Sequence, residues 1–237
     1  MKSYLKQFLN NYWILSCSRN RDNFVKEWLQ SLDNGTSILD AGAGFQRYKR
    51  YANHLKYFSQ DFGEYEGGEN FGNKKAPDWD SKKCDYICDI TNIPVEDNMF
   101  DNVMCTEVFE HLPNPLKAFE ELSRILKKGG KILITAPFRC LYHQEPYFYY
   151  SGFSTHWYEY IAEQNDLEIT LLKPNGNYYQ DVGFEILRIA RFGGLFQRFI
   201  SLFFTIPMLG YLFFIEKIQK LTSPESCWGY YVIFKKK

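Results

Sequence analysis

Apolar strands that alternate with helices at a short, regular spacing predict an α/β domain. Its sheet should be mostly parallel, with helices on both faces. Three stretches carry the prediction. Ser37-Ile38-Leu39-Asp40 is a short buried-strand pattern that runs into the glycine pair Gly42 and Gly44. Phe100 to Cys105 is a second such run. Between it and a third, Lys131 to Thr135, Asn114 and Pro115 open an amphipathic helix carrying Leu116, Phe119, Leu122 and Leu126 on one side.

The elements follow in order. Residues 1–35 predict N-terminal lid or packing helices, with Phe24, Trp28, Leu29 and Leu32 on one face and a stop at Asn34-Gly35. After the glycine turn, Phe45, Tyr48, Tyr51, Ala52 and Leu55 space as a helix over 45–55. Lys56 to Asp61 is a strand ending in a carboxylate, and 62–83 is a loop rich in Gly, Asn and charge. Cys84 to Cys88 is a third strand, running into Asp89-Ile90, and Phe100 to Cys105 is the fourth. Lys127-Lys128-Gly129 reads as the end of the amphipathic helix, because cations suit its last turn and glycine the residue beyond. Past the fifth strand lies an aromatic loop, His143 to Phe153, then a helix over 154–165 and a sixth strand, Leu167 to Leu172. The core spans 36–183, an apolar helical insertion 184–227, and the final strand 228–237.

Lys+Arg and Asp+Glu both total 28 in the 237 residues, so no basic excess points to nucleic acid. The six cysteines are scattered, without the short paired spacings of a zinc site or a disulfide framework. That predicts no metal and a reducing, cytoplasmic location. No secretory signal is legible at the start, where Asn10 and Asn11 interrupt the apolar residues.

In register along the chain, five pieces match one family: Ile38-Leu39-Asp40-Ala41-Gly42-Ala43-Gly44; the strand ending at Asp61; Asp89-Ile90; Phe100 through Leu112; and Leu126 through Ile134. The chain resembles a class I S-adenosylmethionine-dependent methyltransferase of the small-molecule type, methyltransferase type 11-like, over about 36–183 and the last strand. The resemblance implies a Rossmann-like, mostly parallel seven-stranded sheet and S-adenosyl-L-methionine as cofactor. It implies cofactor contacts from Asp40, Ala41, Gly42, Gly44, Asp61, Asp89, Ile90, Thr106 and Glu107. Asp40 and the glycine turn hold the methionine part, Asp61 the ribose hydroxyls, and Asp89 with the backbone after it the adenine. One departure stands out: Phe45-Gln46 follows the second glycine, where the family often has Thr-Gly or Ser-Gly. A nicotinamide fingerprint fits less well, since Arg47 stands where its third glycine belongs.

Methyl transfer from a sulfonium is an in-line displacement with a neutral leaving group, so positioning in a dry pocket supplies most of the catalysis. A base is needed where the acceptor must lose a proton, and His143 and His111 are the candidates. Phe199 to Ile215 carries no charge and reaches about the shortest membrane-spanning length, roughly 17 residues. Pro207 and Gly210 predict two short helices in an apolar hairpin, rimmed by Arg188, Arg191, Arg198, Lys217 and Lys220. A single crossing would strand the final strand across the bilayer from its sheet. Membrane-surface contact through 195–215, at the inner face, a lid over the site and a homodimer interface all remain open. The acceptor expected is a small molecule, a sugar or a lipid-linked group. The alternative is a non-catalytic binding module of the same fold.

Overall fold

The computed structural model describes residues 16–65, 83–189, 195–219 and 226–237. The expectations for residues 1–15, for most of the loop 62–83, and for Arg191 and Lys220 lie outside these. The chain divides into two compact units. One comprises Asn23–Lys173 and Gly229–Lys237; the other holds the described residues through Asp22 together with those of Pro174–Trp228.

The strands are β1 (Ser37–Ala41), β2 (Lys56–Asp61), β3 (Tyr86–Ile87), β4 (Phe100–Thr106), β5 (Leu126–Pro137), β6 (Leu167–Asn175) and β7 (Gly229–Lys236). They form one seven-stranded sheet in the order β3-β2-β1-β4-β5-β7-β6. The pairs from β3 through β5 are parallel, whereas β7 runs antiparallel to β5, from Lys131↔Lys235 to Pro137↔Gly229. This is the expected mostly parallel sheet. β1, at its centre, is buried at every position, as a strand covered on both faces must be.

Alternation along β7 shows how both faces are covered. On one face Tyr231 stacks on Phe24, and Ile233 packs with Val25, Trp28, Leu29 and Leu32 from helix α1 (Cys17–Gln30) and its exit. On the other, Phe234 meets Phe119 of α2 (Pro115–Ile125) at 4.9 Å between ring centroids, and Tyr230 meets Tyr158 of α3 (Thr155–Gln164) at 6.0 Å. α2 begins as predicted, with Asn114 Oδ1 accepting from Lys117 N at 3.1 Å.

Register is pinned by a serine–aspartate clasp used twice. Asp101 Oδ2 accepts from Ser37 N and Oγ at 2.8 and 2.7 Å, and Asp101 N donates back to Ser37 Oγ at 2.9 Å. Ser59 and Asp85 repeat this between β2 and β3 at 2.8, 2.7 and 3.1 Å. Burial alone would raise the Asp101 carboxyl, but hydrogen bonds from Lys127 and Ser37 overcome it and bring it down to about 2.

Three local expectations are corrected. Residues 45–55 form turns with one 3₁₀ segment, Lys49–Tyr51, because Gln46 takes φ +55 and breaks a right-handed series. Tyr48 and Ala52 are buried all the same. Helix α2 ends at Ile125, and Lys127 to Gly129 start β5: Lys127 pairs with Asp101 at 2.7 Å, and the positive φ of Gly129 accompanies a shift of register against β4. The apolar hairpin is one helix, α5 (Leu195–Gln219), with Pro207 inside it. A proline removes one backbone bond, which a long run of apolar helix formers can absorb. α5 and α4 (Tyr178–Ile189) belong to the second unit, where Tyr179 Oη donates to Gln219 and Asn177 Nδ2 donates to Glu216.

Phe119→Ala should cost about 3–5 kcal/mol, because it empties a fully buried site between α2 and β7. Urea unfolding followed by circular dichroism measures it, and a loss below about 1 kcal/mol contradicts this packing.

Candidate active site

The parallel strands β1, β2 and β4 end on the same side of the sheet, and the turns that follow them carry backbone groups that lie beyond the strand ladder and need other partners. Side chains from β2 take over there. Gln60 Oε1 accepts from Gly42 N at 3.2 Å, and its Nε2 donates to Cys88 O at 2.7 Å, joining the ends of β1 and β3. Asp61 accepts from Gly44 N at 2.9 Å with one oxygen and from Gly63 N at 3.0 Å with the other. Each oxygen keeps lone-pair capacity for a further donor. Gly42 sits at φ +70, and a Cβ there would come within 2.4 Å of Val108 Cγ2. The bare turn is therefore obligatory.

In front of this edge lies a cavity of about 560 Å³, inside the roughly 300–1,000 Å³ range of small-molecule sites. Of the residues expected from sequence, Gly42, Asp61, Asp89, Ile90, Glu107 and His111 line it. Ala41 and Thr106 are strand-end residues, and neither they nor Gly44 is in the wall. Asp40 is buried behind it, accepting from Tyr57 Oη at 2.6 Å. Burial, offset in part by that hydrogen bond and reinforced by Asp61, raises the Asp40 carboxyl to about 7. Its Oδ1 is buried without a hydrogen-bond partner.

The wall also includes Gln60, Phe62, Tyr65, Val108, Tyr147 and Tyr149, which sequence reasoning did not assign. Tyr147 packs edge-on against Phe62 at 5.0 Å and Tyr65 at 6.2 Å. The signal for Tyr147 and Tyr149 was present in the aromatic loop past β5, and Gln60 adjoins Asp61. Glu107, at φ +55, is fixed by its N–H on Thr135 O at 2.8 Å and by Thr135 Oγ1 donating to its Oε1 at 3.0 Å.

His111 enters on a 3₁₀ turn, Phe109–His111. Its Nδ1 lies 2.6 Å from Tyr147 O, and desolvation pushes it down to about 4, so the ring is neutral at physiological pH. His143 is not in the wall, but its ring meets that of His111 at 4.8 Å. Asp89 Oδ1 accepts from Thr91 N at 2.8 Å.

Two outcomes test this edge. Gly42→Ala should destabilise by about 1–3 kcal/mol through its left-handed backbone and the Val108 contact. Adding Val108→Ala should recover the steric part alone, and equal stability of Gly42→Ala and wild type refutes the account. The Asp40 carboxyl rises from about 4 in an unfolded chain to about 7 when folded, so the folded state holds its proton more tightly. That contribution is complete below about pH 4 and is lost as pH rises through 7. Denaturant titrations should show wild type losing stability over that window relative to Asp40→Asn, and parallel curves would remove the assignment.

A family model described as a methyltransferase domain matches residues 39–134. A sarcosine/dimethylglycine N-methyltransferase of Halorhodospira halochloris is 25% identical over 132 residues, covering 52% of this chain and 46% of that protein. The chain spans less than half the length of the curated relatives it matches. Among solved structures, a candidate sarcosine dimethylglycine methyltransferase from Galdieria sulphuraria superposes with a TM-score of 0.53 at 21% identity, over 90% of this chain and 84% of that one. The [4+2]-cyclase SpnF superposes at 0.55 with 15% identity, over 91% and 80%. The structural likenesses establish the fold, which also carries chemistry other than methyl transfer. The segment similar to the methyltransferase-domain family, residues 39–134, runs from β1 into β5 and includes most of the cavity wall.

Proposed function

We propose that the chain transfers a methyl group from S-adenosylmethionine to a small-molecule, sugar or lipid-linked acceptor. The observation that carries this reading is the cavity at the carboxyl ends of β1, β2 and β4, walled by two carboxylates from successive strand ends, Asp61 and Asp89. Ribose hydroxyls are paired donors suited to Asp61, and the adenine amino group is a donor suited to Asp89, beside the apolar Ile90. Asp40 acts from behind as a positioning residue, through its bond with Tyr57. His111 is the wall residue that takes a proton where the acceptor must lose one, with His143 against it.

The reading extends to a membrane surface. α5 is exposed on all but one stripe, which contains Thr205 and Leu212, and Phe196, Phe199, Phe203, Phe204, Ile206, Tyr211 and Phe214 are each more than half exposed. Arg198 and Lys217 bracket the apolar run. Such a helix is stable where lipid replaces water around it, which supports contact with a membrane surface at its inner, cytoplasmic face. The free state of the cysteines supports that compartment.

Calorimetric titration with S-adenosylmethionine and S-adenosylhomocysteine tests the activity reading. Asp61→Ala and Asp89→Ala should each weaken binding by about 1–3 kcal/mol, whereas no binding by wild type favours a non-catalytic module. Flotation with anionic liposomes tests the second part. Full-length protein should float, and a Phe199→Glu/Phe203→Glu variant should not. A wild-type chain that remains aqueous without lipid, with light scattering showing a dimer, would assign the apolar surface to a second copy.

A further inference from the structure

Glu110, His111 and His143 converge although 32 positions separate the histidines in sequence. One donor atom of each lies within 4.8 Å of the others, and His111 Nε2 is 3.7 Å from Glu110 Oε1. Glu110 is 1% exposed, so its carboxylate is held in a low-dielectric position where a cation gains most. The two rings, nearly perpendicular at 80°, are anchored in the same way. His111 Nδ1 lies 2.6 Å from Tyr147 O and His143 Nδ1 lies 2.8 Å from Leu141 O. A ring nitrogen can bond a carbonyl only by donating, so each Nδ1 carries the proton and each Nε2 presents its lone pair. Backbone carbonyls that fix the tautomer of both rings are the usual outer support of histidine metal ligands. Phe148 lies beside the His143 ring, with 5.2 Å between centroids.

We propose that Glu110, His111 and His143 form a site for a first-row divalent cation, Zn²⁺ or Mn²⁺, at the wall of the cavity. Two imidazole nitrogens and one carboxylate oxygen are a donor set for such ions, with a coordination position left over for an oxygen of water or of a bound small molecule. An ion bound there occupies the His111 Nε2 lone pair, so the base role of His111 belongs to the metal-free chain. A tetrahedral centre with bonds of about 2.1 Å sets its donors about 3.4 Å apart. The pair at 3.7 Å is nearly there, and His143 must close from within 4.8 Å, a movement of up to about 1.4 Å. His143 lies in the aromatic loop and is not buried, so that closure moves a side chain rather than the sheet. The site stands on the geometry of these residues and not on the reading of the cavity as a cofactor pocket.

The test uses the untagged full-length chain, stripped with chelator and titrated by calorimetry with Zn²⁺ and separately with Mn²⁺. One ion should bind per chain and raise the melting temperature. His143→Ala should weaken binding about 10- to 100-fold, and Glu110→Gln likewise, while both variants keep the wild-type circular dichroism spectrum without metal. His156→Ala, at the exposed histidine paired with Glu159, should bind as wild type. Absence of stoichiometric binding of either ion overturns the site, as does binding that His143→Ala leaves unchanged. Because S-adenosylhomocysteine affinity is measured on the same stripped protein, failure of the metal site is distinguishable from failure of the cofactor reading.

Discussion

The backbone groups that run out of partners at the carboxyl edge of a parallel sheet set the constraint on which the site depends. Leaving a buried amide unsatisfied costs on the order of 1–3 kcal/mol, so two adjacent residues of β2 are committed to this edge. Gln60 spans from Gly42 N to Cys88 O, and Asp61 ties Gly44 to Gly63. These bonds set the spacing of the first glycine turn, the second strand end and the third. Glutamine suits the position because it donates and accepts across two strands, while an ionised carboxylate accepts from both sides and retains capacity for a ligand. The same residues that close the accounts of the sheet therefore shape the wall of the cavity.

Strand register uses a different device. Strand entry is fixed by the Ser37–Asp101 and Ser59–Asp85 clasps, in each of which one carboxylate oxygen takes both an amide and a hydroxyl. One clasp joins β1 to β4 and the other β2 to β3, and the β1–β2 ladder carries the register between the two pairs. A slip of one residue would turn Ile38 and Met104 away from α1. The clasps and the packing thus favour the same register, and agreement of this kind gives a sheet one native pairing.

Much of this was legible from residue order. Strand positions, the Asn114 cap and the packing face of α1 follow from spacing, because they rest on contacts between neighbours in sequence. The helix expected over 45–55 and the helical ending at Lys127–Gly129 fail for a common reason. At both places a residue with positive φ, Gln46 or Gly129, diverts the chain, and tertiary pairing then decides which way it goes. The apolar hairpin fails because a proline and a glycine that would end a short helix are absorbed in one as long as α5. Asp61, Asp89 and His111 reach the cavity as expected; Asp40 does not, because burial and Tyr57 claim it. The contact of His111 with His143 depends on how a long loop folds back, and no local pattern encodes that.

Three residues of the cavity wall, Gly42, Glu107 and Gln144, have positive φ, as do Gly44, Gln46 and Gly63 in the turns after β1 and β2. For the non-glycine residues this conformation costs about 1–2 kcal/mol each, so it persists where other interactions over-determine it. Glu107 is the clearest instance, clamped to Thr135 through both its amide and its carboxylate. Its turn brings the next side chain, Val108, into the space that a Cβ on Gly42 would occupy. The left-handed turn after β4 and the bare glycine after β1 are two halves of one interlocked arrangement. A larger residue at 42 would push Val108 out, and Val108 cannot move without disturbing Glu107. The departure at Gln46 belongs to the same economy. There the backbone takes the left-handed conformation while the side chain is held by donating to Lys83 O and accepting from Lys49 Nζ, so the turn keeps its shape without a glycine at 46.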